Sequence, residues 1–417
     1  MAEPAAAPPR VMGSWGIGFI AFNAMIGAGI FGLPGKLDAA LGAFAPWVLL
    51  GAGVAVMLIA LCYADLAARF DRSGGPQLYA STAFGTFAGF EVGWMNWSSR
   101  VAATAANAVV LAAYAKVFLP GVAQPLIASS AILLVILLNL AALTRVVAAL
   151  AWLSLVKLVP LLLVVGLALA ASGVAVPGPL PSFDATQSVA LAALYAFVGF
   201  EAATVPAGET RDPRRAIPQA LLVTLALVTA VYVLVQLAYS GSRLGESDAP
   251  LAGLATLTMG TGGSLLIAVT ATVSVFANLS SAMATMPRVT AAMAERGELP
   301  AGFDVRSSTG APIVSVLVYG SVALTLAASG TFVFLAVVAT LARLFVYAAC
   351  ALAIPVLDRR ADAPVRWGRG IALPAAVMIF CLWAATQSGS GEWLTFLAFL
   401  AAGAILFAIA GMVARRS

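Results

Sequence analysis

The sequence predicts an all-α protein that crosses a membrane many times. Of its 417 residues, 62% are hydrophobic and only 9% are charged, and its mean hydropathy is +1.02. Soluble domains carry about 25% charged residues, so a chain this apolar needs lipid as its solvent. Its apolar runs are continuous over about 20 residues, the length of a membrane-spanning helix. The strands of a membrane β-barrel would instead alternate apolar and polar residues.

Twelve apolar segments are the predicted membrane-spanning helices, and they define the predicted domains. They are residues 14–35, 44–68, 85–115, 125–144, 149–172, 187–210, 216–240, 263–290, 312–329, 331–357, 370–388 and 393–413. Residues 1–13 are rich in alanine and proline, which predicts a disordered cytoplasmic tail. Residues 14–357 form the predicted core, and residues 370–413 form the eleventh and twelfth helices. Residues 70–85 are a predicted inner turn marked by Gly-Gly-Pro, and residues 241–263 are a predicted outer loop in which Gly245, Asp248 and Pro250 would break any helix.

The distribution of positive charge predicts the topology. With twelve helices and a cytoplasmic N-terminus, sixteen arginines fall on the inner side, and three cations fall outside: Lys36, Lys116 and Arg243. This bias follows the positive-inside rule. We therefore expect a multi-pass protein of the inner (cytoplasmic) cell membrane, with both termini in the cytoplasm. Three further cations lie within the predicted spans: Arg100, Lys157 and Arg343.

Two predicted helices are interrupted by glycine and proline. Residues 26–35 read IGAGIFGLPG, and residues 195–209 read YAFVGFEAATVPAGE. Within lipid, unpaired backbone groups are tolerated only against protein or a water-filled cavity. Two broken helices in corresponding halves of a chain are the best sequence pointer to a transporter's binding site. Helices 1–5 (about 14–172) and 6–10 (about 187–357) would then form two halves, the second inverted.

Each break has its own binding chemistry. Unpaired amides at the first break, where a half-helix begins near Ile30, favour a carboxylate. Unpaired carbonyls at 196–199 would accept hydrogen bonds from an ammonium group, so together the breaks fit an amino acid. The alternatives are a close helix-packing face at the first break and a kink without ligand at the second. The predicted substrate-binding residues are Ile26, Gly27, Ala28, Gly29, Ile30, Phe197, Val198, Gly199 and Phe200.

Charged and polar residues within the predicted spans are candidates for coupling. Glu201 could take up and release protons, or pair with a buried arginine such as Arg100. Lys157 could replace a bound sodium ion or lose its proton, or it could be a fixed charge between helices. Arg100 could bind an anionic group or serve only as an ion-pair partner. The remaining candidates for a cavity, a cation site or local hydrogen bonds are Asn96, Ser280 and Ser281.

Several other functions are not indicated. The chain has no histidine, and its three cysteines lie in apolar runs without disulfide or metal-site spacing. GAGIFG matches a dinucleotide-binding pattern formally, but it lacks the preceding strand that the pattern requires. We therefore expect no cofactor, no metal, no nucleic acid and no obligate protein partner. An enzyme would need a nucleophile–base pair, and a channel would need a continuous polar pore.

Four segments, in order, resemble motifs of the amino acid–polyamine–organocation (APC) superfamily of transporters. IGAGIFGLPG resembles its first-helix glycine motif, and LCYADLAARFDRSGGPQLYA resembles the end of its second helix and the following loop. FVGFEAATVPAGETRDPRRAIPQAL resembles its sixth-helix signature, and PRVTAAMAERGELPAGF resembles the segment that closes its eighth helix. The resemblance implies a five-plus-five inverted-repeat (LeuT-like) fold with two added helices, in which helices 1 and 6 are broken.

The resemblance also implies roles for individual residues. Residues 26–30 would hold the substrate carboxylate, and residues 197–200 would hold its amine. Glu201 matches the acidic position of the sixth helix, and Lys157 matches the fifth-helix lysine of some proton-coupled members. Arg100 departs from the pattern and would disfavour a cationic side chain unless Glu201 neutralises it. The prediction is proton symport of a neutral, apolar amino acid by alternating access, and the alternative is an amino acid/amine exchanger without ion coupling.

Overall fold

The computed structural model describes residues 13–70, 73–141, 158–174, 180–308, 310–361 and 366–414. Within these ranges the chain forms fourteen α-helices and no strand beyond one isolated bridge. The first seven are α1 (Ser14–Met25), α2 (Ala28–Leu41), α3 (Ala45–Ala67), α4 (Gly75–Phe84), α5 (Thr86–Ala115), α6 (Gln124–Leu140) and α7 (Leu158–Ser172). The others are α8 (Phe183–Tyr195), α9 (Pro213–Ser242), α10 (Pro250–Glu295), α11 (Ile313–Ser329), α12 (Phe332–Arg360), α13 (Leu373–Ala385) and α14 (Ser390–Ala414).

Seven helical segments of the described chain are long and apolar enough to cross a membrane. They are Ala28–Ala67, Phe183–Thr204, Pro213–Ser242, Pro250–Glu295, Phe332–Arg360, Trp367–Ala385 and Ser390–Val413. Helices α6, α7 and α11 are apolar but shorter. The prediction of an all-α polytopic membrane protein is confirmed. Residues 1–12 of the predicted tail and residues 149–157 of the predicted fifth helix lie outside the described residues.

The first break separates α1 from α2 at two residues. Ile26 still donates its amide to the carbonyl of Phe22, but Gly27 has φ −119° and ψ −137°, which no helix adopts. The second half-helix begins at Ala28, so the expected start near Ile30 was slightly late. Pro34 lies inside α2 and does not end it. Ile26, with φ −80° and ψ 80°, is also non-helical, so Ile26 and Gly27 together make the break and Pro34 does not contribute to it.

The second break follows α8, which ends at Tyr195. The next four residues form turns, and Gly199 has φ +124°, a conformation that favours glycine. The chain then forms two short 3₁₀ segments, Phe200–Thr204 and Ala207–Glu209, on either side of Pro206. Proline lacks the amide that a continuous α-helix would need here. The irregular backbone extends as far as Asp212, just before α9 begins.

Two predicted loops contain helix. The inner turn at residues 70–85 holds α4, whose first turn includes Pro76. The outer loop at residues 241–263 holds the beginning of α10, which starts at Pro250 and bends at Gly260 (φ 68°, ψ −161°). Both expectations of irregular loop were wrong for one reason. Proline is tolerated in the first turn of a helix, where its missing amide would have no partner anyway.

Helix α5 lies at the centre of the fold. It contacts α4, α6, α10, α11, α12 and α14 among the described elements. In lipid, helices associate mainly through close van der Waals packing, which small side chains permit. The α5 face is accordingly built from buried small residues, including Ala102, Ala105, Ala106, Ala108 and Ala112. This packing brings two polar residues of α5, Arg100 and Asn107, close to the breaks.

Charged networks tie the helix ends together on both faces. At the end predicted to be cytoplasmic, Arg366 donates to Asp65 at 2.7 Å and to Asp358 at 3.1 Å. Hydrogen bonds to Asp65 raise the pKa of the Arg366 guanidinium, against the opposing effect of its partial burial. At the other end, Lys36 of α2 pairs with Glu246 at 2.6 Å, in the loop before α10. The pairs of Arg366 with Asp65 and of Lys36 with Glu246 join elements that are distant in sequence.

Candidate functional site

The two breaks meet backbone to backbone. A Cβ atom built on Gly199 would lie 2.6 Å from the carbonyl oxygen of Ala24, at the end of α1. A Cβ atom built on Gly29 would lie 3.0 Å from the Cα atom of Ala196. Neither position has room for a side chain, because in each case the neighbouring atom belongs to rigid main chain. The glycines are thus required for the contact between the two irregular segments.

Two asparagines connect the first break to α5 and α10. Asn107 accepts a hydrogen bond from the amide of Ala28 at 2.8 Å and donates to Asn278 at 3.2 Å. Asn278 donates to the carbonyl of Asn23 at 3.1 Å. Side-chain amides thus satisfy backbone groups on both sides of the break. One amide that was expected to be unpaired, that of Ala28, has a side-chain partner in this conformation.

These asparagines were not predicted as site residues from the sequence. Each lies in a mostly apolar helix and is less than 9% exposed. A polar side chain at membrane depth is costly unless it is hydrogen-bonded, so an isolated asparagine within a span was the available signal. Tyr232 of α9 was also missed, and its hydroxyl donates to the carbonyl of Met25 at 2.9 Å.

The aromatic residues beside the second break are buried. The ring of Phe197 packs 5.5 Å from that of Tyr232. The ring of Phe200 lies 5.3 Å from Tyr63 and 5.4 Å from Tyr347, measured between ring centroids. Both phenylalanines are fully buried, so a solute could contact them only after the surrounding helices move apart.

Glu201 is held by two arginines. Its carboxylate lies 3.0 Å from Nη1 of Arg343 and 3.5 Å from Nη2 of Arg100. It also accepts a hydrogen bond from the amide of Gly199 at 3.1 Å and one from the hydroxyl of Tyr347 at 3.4 Å. A carboxylate buried this deeply needs such partners. The network fixes the second break to α5 and α12.

The other predicted polar residues fall in different surroundings. Asn96 accepts a hydrogen bond from Nη1 of Arg343. Ser280 is fully buried, and its hydroxyl has no partner among the described residues. Ser281 is half-buried, and Lys157 lies outside the described residues. The structure thus brings Asn96 and Glu201 together through Arg343, and Arg100 joins them through Glu201.

The space around the breaks is closed in this conformation. A cavity of about 10 Å³ lies beside the breaks, lined by residues of α2, α3 and α9 that include Ile30, Leu33, Leu49, Val235 and Gln236. A single water molecule needs about 10–15 Å³ by this measure, so the cavity cannot admit an amino acid. Binding would require the helices to separate. In the parts of the chain that the structure describes, no cluster of histidine, cysteine or carboxylate residues could hold a metal.

Two interrupted helices that meet among packed apolar helices are characteristic of one class of membrane transporters. Comparison with known proteins gives the family, because the amino acid permease profile matches residues 12–414. The chain belongs to the amino acid permease family, which confirms the resemblance to the APC superfamily, and amino acid transport is the activity that this family supports.

Three relatives illustrate the similarity. A probable GABA permease of Pseudomonas aeruginosa is 25% identical over 329 residues, covering 70% of this chain and 66% of the relative. A putative arginine/ornithine antiporter of Bacillus subtilis is 26% identical over 355 residues, covering 73% and 74%. An uncharacterized transporter of Mycobacterium bovis is 32% identical over 330 residues, covering 74% and 72%.

Replacing Asn107 with alanine is expected to weaken substrate binding and stability together. The change leaves the Ala28 amide and the Asn278 side chain without their partner, at a cost of about 1–3 kcal/mol for each buried group left unpaired. Uptake assays should show a raised KM. Asn139→Ala is the matched control, because Asn139 is also buried but donates only to its own helix, at Val135. Equal effects of both changes would contradict the role of Asn107.

Proposed function

We propose that this protein is a proton-coupled symporter of a neutral, apolar amino acid, which it moves by alternating access. The observation that carries the proposal is the contact between the two interrupted helices. Their main chains come together at Gly29 and Gly199, deep among packed helices. Irregular backbone at this depth is stable only where it is enclosed by protein or lines a cavity. A substrate-binding site would explain why the two breaks lie next to each other.

The architecture we propose has twelve membrane-spanning helices. Helices 1–5 and 6–10 form two inverted halves within residues 14–357, and the last two helices follow at 370–413. The supporting feature is the correspondence of the breaks, since each lies in the first helix of its half. In inverted-repeat transporters this arrangement places the substrate near the middle of the membrane. Both termini would then be cytoplasmic.

The proposed site holds the two charged groups of an amino acid separately. The amides at the start of α2, including that of Gly29, face the carboxylate, which the positive end of the helix favours. The carbonyls at 196–199 accept hydrogen bonds from the ammonium group. Asn107 would exchange its bond to Ala28 for contact with the bound carboxylate. Phe197 and Phe200 would pack against the side chain of the solute.

The charges near the breaks favour a substrate with a neutral side chain. Glu201 is the acidic residue closest to the second break, and Arg343 and Arg100 already occupy its carboxylate. A cationic side chain would therefore find no free negative charge there. The Bacillus subtilis relative is named for arginine and ornithine, and this chain would exclude such solutes. Apolar residues such as Ile30 and Leu33 suit an apolar side chain.

Alternating access requires the charged networks to open in turn. The pairs of Arg366 with Asp65 and Asp358 would part when the cytoplasmic side opens. The pair of Lys36 with Glu246 would part when the other side opens. Glu246 is 59% exposed, so its pair with Lys36 contributes only about 0–1 kcal/mol. Such a weak contact suits a surface that must separate in every cycle.

We propose that protons drive uptake through Lys157, while Glu201 serves as the fixed partner of Arg343 and Arg100. A lysine inside a membrane span loses its proton more readily than one in water, and its charge could then follow the transport cycle. The alternative function is exchange of amino acids or amines without ion coupling. The Bacillus subtilis relative is named as an antiporter, which favours exchange. Counterflow in the absence of any pH effect on uptake would identify the exchanger.

Replacing Lys157 with alanine is expected to abolish uptake driven by a pH gradient in proteoliposomes. Counterflow between labelled and unlabelled substrate should persist, because the substrate site is unchanged. Lys116→Ala is the control, since Lys116 is an exposed lysine next to the end of α5. Undiminished proton-driven uptake by the Lys157→Ala variant would reject the coupling role of Lys157, whereas uptake by the unmodified protein that does not respond to a pH gradient would favour the exchanger.

A further inference from the structure

The buried charges beside the second break do not balance. Arg100 and Arg343 both converge on Glu201, so two positive groups share one negative group. The Arg343 side chain is fully buried, and that of Arg100 is 14% exposed. The acidic residue within α5, Glu91, has no hydrogen-bond partner among the described residues. An excess buried charge at membrane depth is costly unless a counter-charge is present.

The hydrogen bonds of Arg343 show where a counter-charge would bind. A guanidinium group has five N–H donors, and in Arg343 the Nη1 atom contacts both Asn96 and Glu201. The Nε and Nη2 atoms are buried and have no partner in the described part of the chain. These two atoms form one edge of a planar group. The unpaired Nε and Nη2 donors of Arg343 therefore lie beside the excess positive charge of the two arginines.

The Glu201 carboxylate cannot also accept hydrogen bonds from the Nε and Nη2 atoms of Arg343. Its Oε2 atom accepts from Gly199 and Tyr347, and its Oε1 atom lies against Arg343 and Arg100. The acceptor capacity of the carboxylate is already used from four directions. A separate acceptor is needed, and it must carry negative charge to offset the excess.

We propose that the Nε–Nη2 edge of Arg343 is a binding site for a carboxylate, located where α5 and α12 meet the irregular segment after α8. A planar carboxylate accepts two parallel hydrogen bonds from such an edge, whereas a spherical halide matches only the charge. The carboxylate has two possible sources. One is a free monocarboxylate anion, and the other is the acidic side chain of a bound amino acid.

The site is distinct from the proposed substrate carboxylate site at the start of α2. That site uses backbone amides near Gly29 and depends on no arginine. The inference therefore does not rest on proton coupling or on the neutral substrate. Its failure would leave the proposed transport function intact, and failure of proton coupling would not affect the site at Arg343. Stabilisation by glutamate alone would support the site and replace the proposed neutral substrate with an acidic one.

Thermal unfolding of the purified, full-length protein tests the site. Samples contain sodium acetate, sodium chloride, glutamate or glutamine, at one ionic strength that is balanced with sodium methanesulfonate. We expect acetate or glutamate to raise the unfolding temperature in a saturable way, and chloride to fail at the same concentration. Stabilisation by acetate identifies a free anion, whereas stabilisation by glutamate but not by acetate or glutamine identifies a side chain. Absence of any carboxylate effect, or an equal effect of chloride, would overturn the proposal.

Two variants assign the effect to Arg343. Arg343→Lys keeps the positive charge but removes the two-donor edge, and we expect it to weaken carboxylate binding at least tenfold. Arg343→Gln removes both and should abolish the effect. Arg288→Gln, at an exposed arginine of α10, is the control and should behave like the unmodified protein. If Arg343→Lys retains full carboxylate binding, the anion is bound elsewhere, and the assignment to Arg343 is wrong.

Discussion

Replacing Gly199 with alanine is expected to abolish amino acid uptake. The added Cβ would lie 2.6 Å from the carbonyl oxygen of Ala24, so the two breaks must separate. The residue also has φ +124°, which costs a non-glycine residue about 1–3 kcal/mol. Radiolabelled uptake in proteoliposomes should fall to background, and the thermal unfolding temperature should fall as well.

Gly51→Ala is the matched control for this substitution. Gly51 lies within α3, and a Cβ built there would meet no atom within 4 Å. Alanine is also the better helix former by about 1 kcal/mol, so this variant should be as stable as the unmodified protein or slightly more so. Normal uptake by Gly199→Ala would show that the close contact of the breaks is unnecessary.

Replacing Glu201 with glutamine is expected to destabilise the protein strongly. The substitution keeps the shape of the side chain but leaves Arg100 and Arg343 as two buried charges without a partner. Removing one member of a buried ion pair costs about 3–5 kcal/mol. Unfolding temperature measures this cost, and uptake should be lost because the network fixes the second break to α5 and α12.

Glu209→Gln provides the comparison. Glu209 is also on the second irregular segment, but it is exposed. Exposed substitutions of this kind usually change stability by less than about 0.5 kcal/mol. If Glu201→Gln is as stable as Glu209→Gln, the two arginines do not depend on Glu201 for their charge balance.

The breaks were predictable because their causes are local. Glycine and proline mark irregular backbone wherever they occur within an apolar run, and Gly27 and Gly199 carry that signal directly. The helices were predictable because apolar length reflects membrane thickness. The segments around Pro76 and Pro250 were expected to be irregular loop, but each proline lies in the first turn of a helix. The sequence alone does not distinguish the two cases, because proline is common both in the first turn of a helix and at an interruption.

The partners in the site could not be predicted from the sequence. Glu201 suggested a buried arginine, but Arg343 is on a helix far away in the chain, and only the packing of α5 against α12 brings both to one place. Asn107 offered a weak signal as an isolated polar residue. Its pairing with Asn278 and with the Ala28 amide depends on tertiary contacts, which local patterns do not encode.

A high-resolution cryo-EM structure of the protein with its amino acid substrate bound tests the proposed site most directly. We expect density for the solute between residues 26–30 and residues 197–200. Its carboxylate should lie within hydrogen-bond distance of the α2 amides, and its ammonium group should face the carbonyls at 196–199. Solute density remote from both segments, or continuous helix through Gly27 and Gly199, would contradict the account.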